Sequence, residues 1–177
     1  MIGIGRFRLA RDQRGAAVIE LALVAPMFAL MAIGVIDLSN AFSRKLALEQ
    51  GAQRAIEKIM QTTDIDTVEG SLTTEAVCQV NGTTANGTCK TTPISASNVT
   101  VSYRLECTTS AGVMTARSST DATAFDALTC ANTTDKEARY IQVAVTDKYS
   151  PMFPLHFLGY NTDGTYHISA TAGMRTQ

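Results

Sequence analysis

The sequence lacks tryptophan altogether and has only two histidines, His156 and His167. It also lacks the Gly-x-Ser-x-Gly, His-Glu-x-x-His and phosphate-loop motifs that mark common hydrolases, metalloproteases and nucleotide-binding proteins. Close acidic pairs such as Asp121 and Asp126 lie in polar segments that are typical of solvated loops. We therefore expect a protein that is not an enzyme and needs no cofactor.

Threonine and cysteine are absent from residues 1–60, and this absence divides the chain near Met60. Ala, Leu, Met and Ile, which favour helices, dominate the first part, whereas Thr, Ser, Asn and Val dominate residues 61–177. Lysines and arginines outnumber acids by eight to five in the first part, and acids outnumber them by eleven to seven in the second. These differences predict an α+β chain with a basic cytoplasmic leader (1–15), a hydrophobic N-terminal helix (16–60) and an exported, β-rich domain (61–177).

An apolar run of 21 residues extends from Ala16 to Ile36, and Glu20 is the charged residue inside it. Its length matches the roughly 30 Å hydrocarbon core of a bilayer. Four arginines precede the run and favour the cytoplasmic side of a membrane: Arg6, Arg8, Arg11 and Arg14. The sequence thus predicts a single-pass membrane protein with a cytoplasmic N-terminus, and its acidic remainder gives no support for nucleic-acid binding.

Glu20 needs an explanation, because a charged side chain inside a bilayer-length helix costs about 2.5 to 3.5 kcal/mol. An acid in such a place is a candidate functional residue. Beyond the run, an apolar stripe continues at spacings of mostly three or four residues, which predicts an unbroken amphipathic helix: Leu38, Phe42, Leu46, Ala52, Ile56, Ile59 and Met60. The stripe has two possible partners, the chain's own C-terminal domain and neighbouring subunits, and the sequence leaves both open.

Three segments of the second part alternate apolar with polar residues, as half-buried strands do: Val99–Leu105, Tyr140–Thr146 and Tyr166–Ala172. They predict a small antiparallel sheet covered by the C-terminal half of the long helix. A polar loop is expected from Thr108 to Asp135. The proline-containing segment from Ser150 to Leu155 reads as an ordered connection between strands.

All four cysteines lie in the part that is predicted to be exported, where disulfides persist. No two of them form a Cys-x-x-Cys pair, so a structural zinc or other metal site is not expected. Of the three possible connectivities we favour nearest neighbours, Cys78 with Cys89 and Cys107 with Cys130. Two Asn-Gly turn signals between Cys78 and Cys89 bend that stretch back on itself.

The block from Arg14 to Arg54 reads RGAAVIELALVAPMFALMAIGVIDLSNAFSRKLALEQGAQR. It resembles the TadE-like family of the tight-adherence pilus system. The resemblance rests on Arg-Gly-Ala-Ala at its start, the acid at Glu20, Val-Ala-Pro at 24–26, Gly-Val-Ile-Asp at 34–37 and Leu-Ala-Leu-Glu-Gln-Gly-Ala at 46–52. A Tyr-x-Pro-x-Phe-Pro segment at 149–154 is similar to the C-terminal portions of such proteins.

The resemblance implies a minor pilin or pseudopilin with a type IV pilin-like fold, located in a bacterial inner membrane with its C-terminal domain in the periplasm, or outside the cell in the pilus. It implies cleavage by a prepilin peptidase between Gly15 and Ala16. It also implies that Glu20 acts in assembly with other pilin or pseudopilin subunits through the N-terminal helix. The new Ala16 amine of a neighbouring subunit would neutralise Glu20 in a low-dielectric bundle.

Two other interpretations stay open at this point. An ordinary secretory signal, with a small-residue site at 32–34, would release residues 35 onward as a soluble periplasmic protein. An uncut helix would instead anchor an exported binding domain permanently in the membrane. The first residue of the mature chain distinguishes the three: Ala16, Val35 or Met1.

Overall fold

The structure is a computed structural model, and it describes residues 14–61, 65–153 and 161–176. Helix α1 spans Arg14–Gln61 and helix α2 spans Ile65–Asn81. A 3-10 turn, Ala96–Asn98, leads into strand β1, and a short helix α3, Ala122–Asp126, follows β2. The strands are β1 Val99–Thr108, β2 Met114–Ser119, β3 Lys136–Tyr149 and β4 Tyr166–Arg175. The predicted class, a long helix on a small disulfide-bonded antiparallel sheet, is confirmed.

The four strands form one antiparallel sheet in the order β2-β1-β3-β4. Strands β1 and β3 are central, with Val101 opposite Val143, and β4 continues the sheet with Ala172 on the other side of Val143. Along β3 the buried residues alternate with more exposed ones, because successive side chains point to opposite faces of a sheet. Each of the three predicted strands lies inside one of these elements.

The core lies between the C-terminal half of α1 and one face of the sheet. From α1, Leu48, Ala52 and Ala55 are fully buried. They belong to one cluster with Leu105 of β1 and Val143 of β3, which are fully buried as well. A small sheet buries one face against a helix in this way, and the apolar surface removed from water supplies the main driving force for folding.

Helix α2 differs from the prediction, since residues after Gln61 were expected to form strands and loops. The helix packs along α1, and its residues Leu72 and Ala76 are fully buried. The two helices approach closely at Gly51, where an added Cβ would lie 2.5 Å from Val80 Cγ2 and 3.0 Å from the Ala76 carbonyl oxygen. Burial of this face against α1 outweighs the weak helix propensity of its Thr, Val and Gly residues.

The segment predicted as one polar loop, Thr108 to Asp135, also contains regular structure. It includes β2, which pairs with β1, and helix α3, whose Ala124 amide donates to the Asp121 side chain at 3.0 Å. Every residue of β2 is exposed except the half-buried last one. An edge strand exposed on both faces needs no apolar alternation, so its sequence carries no period-2 signal.

Two disulfides close the domain, and they join the pairs that nearest-neighbour spacing favours. Cys78 at the end of α2 is bonded to Cys89, and Cys107 in β1 is bonded to Cys130. The second bond ties the segment after α3 to the centre of the sheet. In the loop-entropy account each contributes about 3 kcal/mol of stability.

Candidate functional site

The first half of α1 exposes apolar side chains around its whole circumference. Residues 17–36 are exposed except for Ile33 and Gly34, which are half-buried. By length and composition, the helix Ala17–Gln61 is able to cross a membrane, and its most apolar stretch is not buried by the described part of the chain. A helix that is apolar on every side is typical of a membrane span. Its large exposed residues are Val18, Ile19, Leu21, Leu23, Val24, Met27, Phe28, Leu30, Met31, Val35 and Ile36.

Glu20 projects from this apolar half and is exposed. Its neighbours Ile19 and Leu21 are exposed apolar residues, so a lipid environment would leave the carboxylate without water. Glu20 lies four residues beyond Ala16, which is about one helical turn, or 5.4 Å along the axis. The predicted site of cleavage and the predicted assembly residue therefore lie on neighbouring turns of one helix.

Gly15, on the N-terminal side of the predicted cleavage, is part of α1. A Cβ added at Gly15 would meet nothing within 4 Å, so the described part of the chain does not crowd this position. Arg14 is the first residue of α1. Arg6, Arg8 and Arg11, which are predicted to set the topology, lie outside the described residues.

Asp37 lies where the exposed half of α1 meets the sheet, and only 6% of this residue is exposed. Its Oδ1 accepts a hydrogen bond from the Met152 backbone N–H at 2.9 Å, and its Oδ2 accepts one from the Phe153 N–H at 3.2 Å. The Tyr149 hydroxyl lies 3.4 Å from the Asp37 carbonyl oxygen. We call these contacts the Asp37 clasp, because they hold the chain after β3 against α1.

The clasp satisfies the buried carboxylate, as a charge in the interior requires. Burial of the Tyr149 ring, and then the negative charge of Asp37, raise the pKa of the Tyr149 hydroxyl above its usual value of 10.0. The hydroxyl therefore stays protonated and able to donate at neutral pH. In the sequence, Asp37 is marked only as part of the Gly-Val-Ile-Asp motif at 34–37. The signal that could have singled it out is its position as the first charge after the apolar run.

A second polar contact joins α1 to β3 two turns further along. Arg44 Nε lies 2.6 Å from Asp147 Oδ2, and the two side chains are 21% and 11% exposed. A short, largely buried pair holds its geometry better than the exposed pairs along α1, such as Lys45 with Glu49 at 4.0 Å. Together with the clasp, it fixes α1 on the sheet just beyond the exposed half.

An apolar groove runs beside the clasp, between α1 and the strands β3 and β4. Its volume is about 740 Å³. We call it the junction groove, and its walls are formed by Leu30, Met31, Gly34, Val35, Asp37, Leu38 and Ala41 of α1 and by Tyr149, Pro151, Tyr166 and Ile168. The groove starts inside the apolar run of α1 and ends on the sheet domain.

The apolar stripe that the sequence predicts on α1 from Leu38 to Met60 divides into two groups. Ala52, Ile56 and Ile59 are buried in the core, whereas Leu38, Phe42, Leu46 and Met60 are exposed. The chain's own C-terminal domain, one of the two partners that the sequence left open, therefore covers only the buried group. The exposed group offers an apolar surface on the part of α1 that extends past the first half.

The described ranges contain no group of three or more His, Cys, Asp or Glu side chains that could hold a metal ion. The arrangement offers an exposed apolar half-helix with one acid, joined to a folded domain by the Asp37 clasp and the Arg44–Asp147 pair. Such a surface suits association with lipid and with other helices.

The family whose description is TadE-like protein matches residues 15–56, a range that contains Gly15, Glu20 and Asp37. No curated protein and no solved structure matches the chain. The match starts at the predicted cleavage site and ends in the buried part of α1. The chain therefore carries a TadE-like segment over residues 15–56, in agreement with the resemblance of its sequence motifs.

Proposed function

We propose that this chain is a minor pilin or pseudopilin that is assembled into a Tad pilus of the Flp type or supports its biogenesis. A TadE-like segment indicates a protein associated with the Tad pilus. The observation that carries the finer proposal is the first half of α1, which is apolar on all sides and has one acid, Glu20, near its start. Such a helix requires lipid or other helices around it.

In this proposal the arginine-rich leader stays in the cytoplasm, α1 crosses the inner membrane and the sheet domain lies in the periplasm. A prepilin peptidase cuts between Gly15 and Ala16, where Gly15 has no side chain to obstruct a protease groove and adopts an extended backbone easily. Cleavage leaves a positively charged amine on Ala16, at the membrane end of the helix. The mature chain then keeps the entire apolar half together with the clasp.

Glu20 favours the assembled state over the isolated subunit. Alone in lipid, its carboxylate lacks a counter-charge, and this state is costly. When a second subunit places its Ala16 amine beside Glu20, the two charges attract strongly in the low dielectric, and the cost falls. The other subunits are therefore the partners of the first half of α1, and the exposed Phe42 and Leu46 extend that contact beyond the membrane.

N-terminal sequencing of the mature protein tests the processing step. The proposal expects Ala16 as the first residue. A mature chain that starts at Val35 would instead indicate an ordinary secretory signal, and one that retains Met1 would indicate a permanent, uncut anchor. Either of these outcomes would overturn the pilin-type processing.

Glu20→Gln tests assembly separately from processing. The variant should insert into the membrane as the wild type does but be depleted from isolated pili, because the amide cannot neutralise an amine. Glu57→Gln is the matched control, since Glu57 lies on the same helix in an exposed ion pair with Arg54. Normal incorporation of Glu20→Gln would contradict the assigned role of Glu20.

A further inference from the structure

We propose that the junction groove holds one acyl chain of a phospholipid from the periplasmic leaflet of the membrane. This inference rests on the proposed function, because it needs α1 to cross the membrane. Its basis is the juxtaposition of the groove with the end of the apolar run of α1.

The position of the groove within the membrane follows from the length of the helix. The 20 residues from Ala17 to Ile36 rise about 30 Å, which is the thickness of the hydrocarbon core. The groove contacts α1 from Leu30 to Ala41, a rise of about 16 Å. Its lower part therefore lies in the outer hydrocarbon layer and its upper part in the interfacial layer. A lipid chain reaches the opening without leaving the bilayer.

The chemistry of the walls suits a hydrocarbon chain. Apolar side chains such as Leu30, Met31 and Ile168 form most of the lining. The carboxylate of Asp37 is the charge on the wall, and both of its oxygens already accept backbone N–H groups. The rings of Tyr149 and Tyr166 lie at the level of the membrane interface, where tyrosine is enriched in membrane proteins.

The dimensions favour a chain over a helix of a second subunit. A helix with its side chains is about 10 to 12 Å across. A single hydrocarbon chain is thinner than a helix and bends to follow a curved wall. The exposed Phe42 and Leu46 lie outside the groove, so a neighbouring helix can use that surface while a lipid occupies the groove.

Photolabelling of the full chain in vesicles tests the proposal. The vesicles contain phosphatidylethanolamine and phosphatidylglycerol, with a fraction of phosphatidylethanolamine that carries a diazirine on one acyl chain. After irradiation, labelled residues are located by mass spectrometry of peptides. We expect adducts on Leu21 and Leu23, which face lipid in any spanning helix, and also on Tyr166 and Ile168 of β4, which line the groove.

Ala41→Phe should fill the groove and remove the adducts on β4 while those on Leu21 and Leu23 remain. Ser39→Phe is the matched control, because Ser39 is exposed at nearly the same depth and does not line the groove; its labelling should match the wild type. Formation of both disulfides checks that each variant folds, and Ala41→Leu replaces Ala41→Phe if the latter does not form them.

The adducts on α1 test the membrane span, and the adducts on β4 test the lipid site in the groove. Labelled α1 with unlabelled β4 would overturn the lipid site and leave the membrane span intact; this result would follow if a second subunit or residues 154–160 of the chain itself filled the groove. Unlabelled α1 would overturn the membrane span. Adducts on β4 that persist in the filled variant would show that lipid reaches β4 by another route, and would overturn the groove assignment.

Discussion

The two halves of α1 contain similar apolar residues but have opposite surroundings. In residues 17–36 these side chains are exposed on nearly every side, whereas at Leu48, Ala52 and Ala55 they are fully buried under the sheet and α2. The sequences differ in the arrangement of charge: the second half carries ion-pairing residues such as Lys45 and Glu49 on its outer side. The amphipathic half packs on the protein's own core. The half that is apolar on all sides requires a partner that the described part of the chain does not supply.

Equal truncations in the two halves should have unequal effects, and this is the largest difference we expect. Leu48→Ala leaves a cavity at a fully buried site, and it should lower the free energy of unfolding of the sheet domain by about 3 kcal/mol. Denaturant unfolding, followed by near-UV circular dichroism of the buried Tyr103, measures this loss. Leu23→Ala is the control, because Leu23 is exposed and should leave the unfolding curve unchanged. Equal losses would show that the first half packs on the domain.

Asp37 lies at the boundary between the two halves of α1, and Asp37→Asn should weaken the attachment of residues 152 and 153 to the helix. The variant loses the charge-assisted bonds to the Met152 and Phe153 amides, a loss of about 2 kcal/mol. Amide exchange at these two residues should accelerate by roughly thirtyfold, if local opening controls exchange. Asp126→Asn serves as the control, since the Asp126 side chain is 65% exposed and distant in sequence from the clasp. Unchanged exchange in Asp37→Asn would mean that the clasp contributes nothing to the boundary.

Glycines in the two halves should also respond differently to alanine. Gly51→Ala forces a methyl group towards Val80 and the Ala76 carbonyl oxygen, and the strain outweighs the gain in helix propensity. We expect a net loss of about 1 kcal/mol in the stability of the domain, measured by the same denaturant unfolding. At Gly15 an added Cβ meets nothing within 4 Å, so Gly15→Ala should leave that stability unchanged. A neutral Gly51→Ala would show that α2 shifts away at little cost.

The smallest expected effect is a loss of stability in acid that arises from Asp163, just before β4. Hydrogen bonds from His167, Lys148 and Thr165 hold the pKa of Asp163 well below its usual value of 3.8. Because the folded-state pKa is the lower one, the group stabilises the fold above about pH 4, and this contribution is lost as the pH falls further. Thermal unfolding at pH 6 and pH 3 should therefore show a slightly larger loss in the wild type than in Asp163→Asn. Identical losses in both proteins would show that Asp163 does not contribute to the acid sensitivity of the fold.

The sequence predicted the features that repeat with a period. The alternation in 99–105 and 140–146 and the long apolar run identified the strands and α1, because burial of one face or of a whole helix leaves a regular pattern. Leu72, Ala76 and Val80 of α2 also follow a four-residue spacing, but threonines and a glycine nearby obscured it. Strand β2 is exposed along its length and had no pattern to detect.

The candidate site was predictable where it depends on local chemistry and hidden where it depends on folding. Glu20 is conspicuous because an acid inside an apolar run is rare. The role of Asp37 depends on amides more than a hundred positions away along the chain, and no local pattern announces such a contact. The junction groove likewise exists only because β3 and β4 come to lie beside the end of the apolar run.

The Asp37 clasp holds the backbone of residues 152 and 153 and leaves their side chains uninvolved in those two bonds. The side chain of Met152 points outward accordingly, since the residue is 69% exposed. Nineteen of the twenty amino acids have the backbone N–H that such a bond needs, and proline alone does not. The surface at position 152 can therefore change in sequence, to suit different neighbours, while Asp37 continues to hold the chain in the same place.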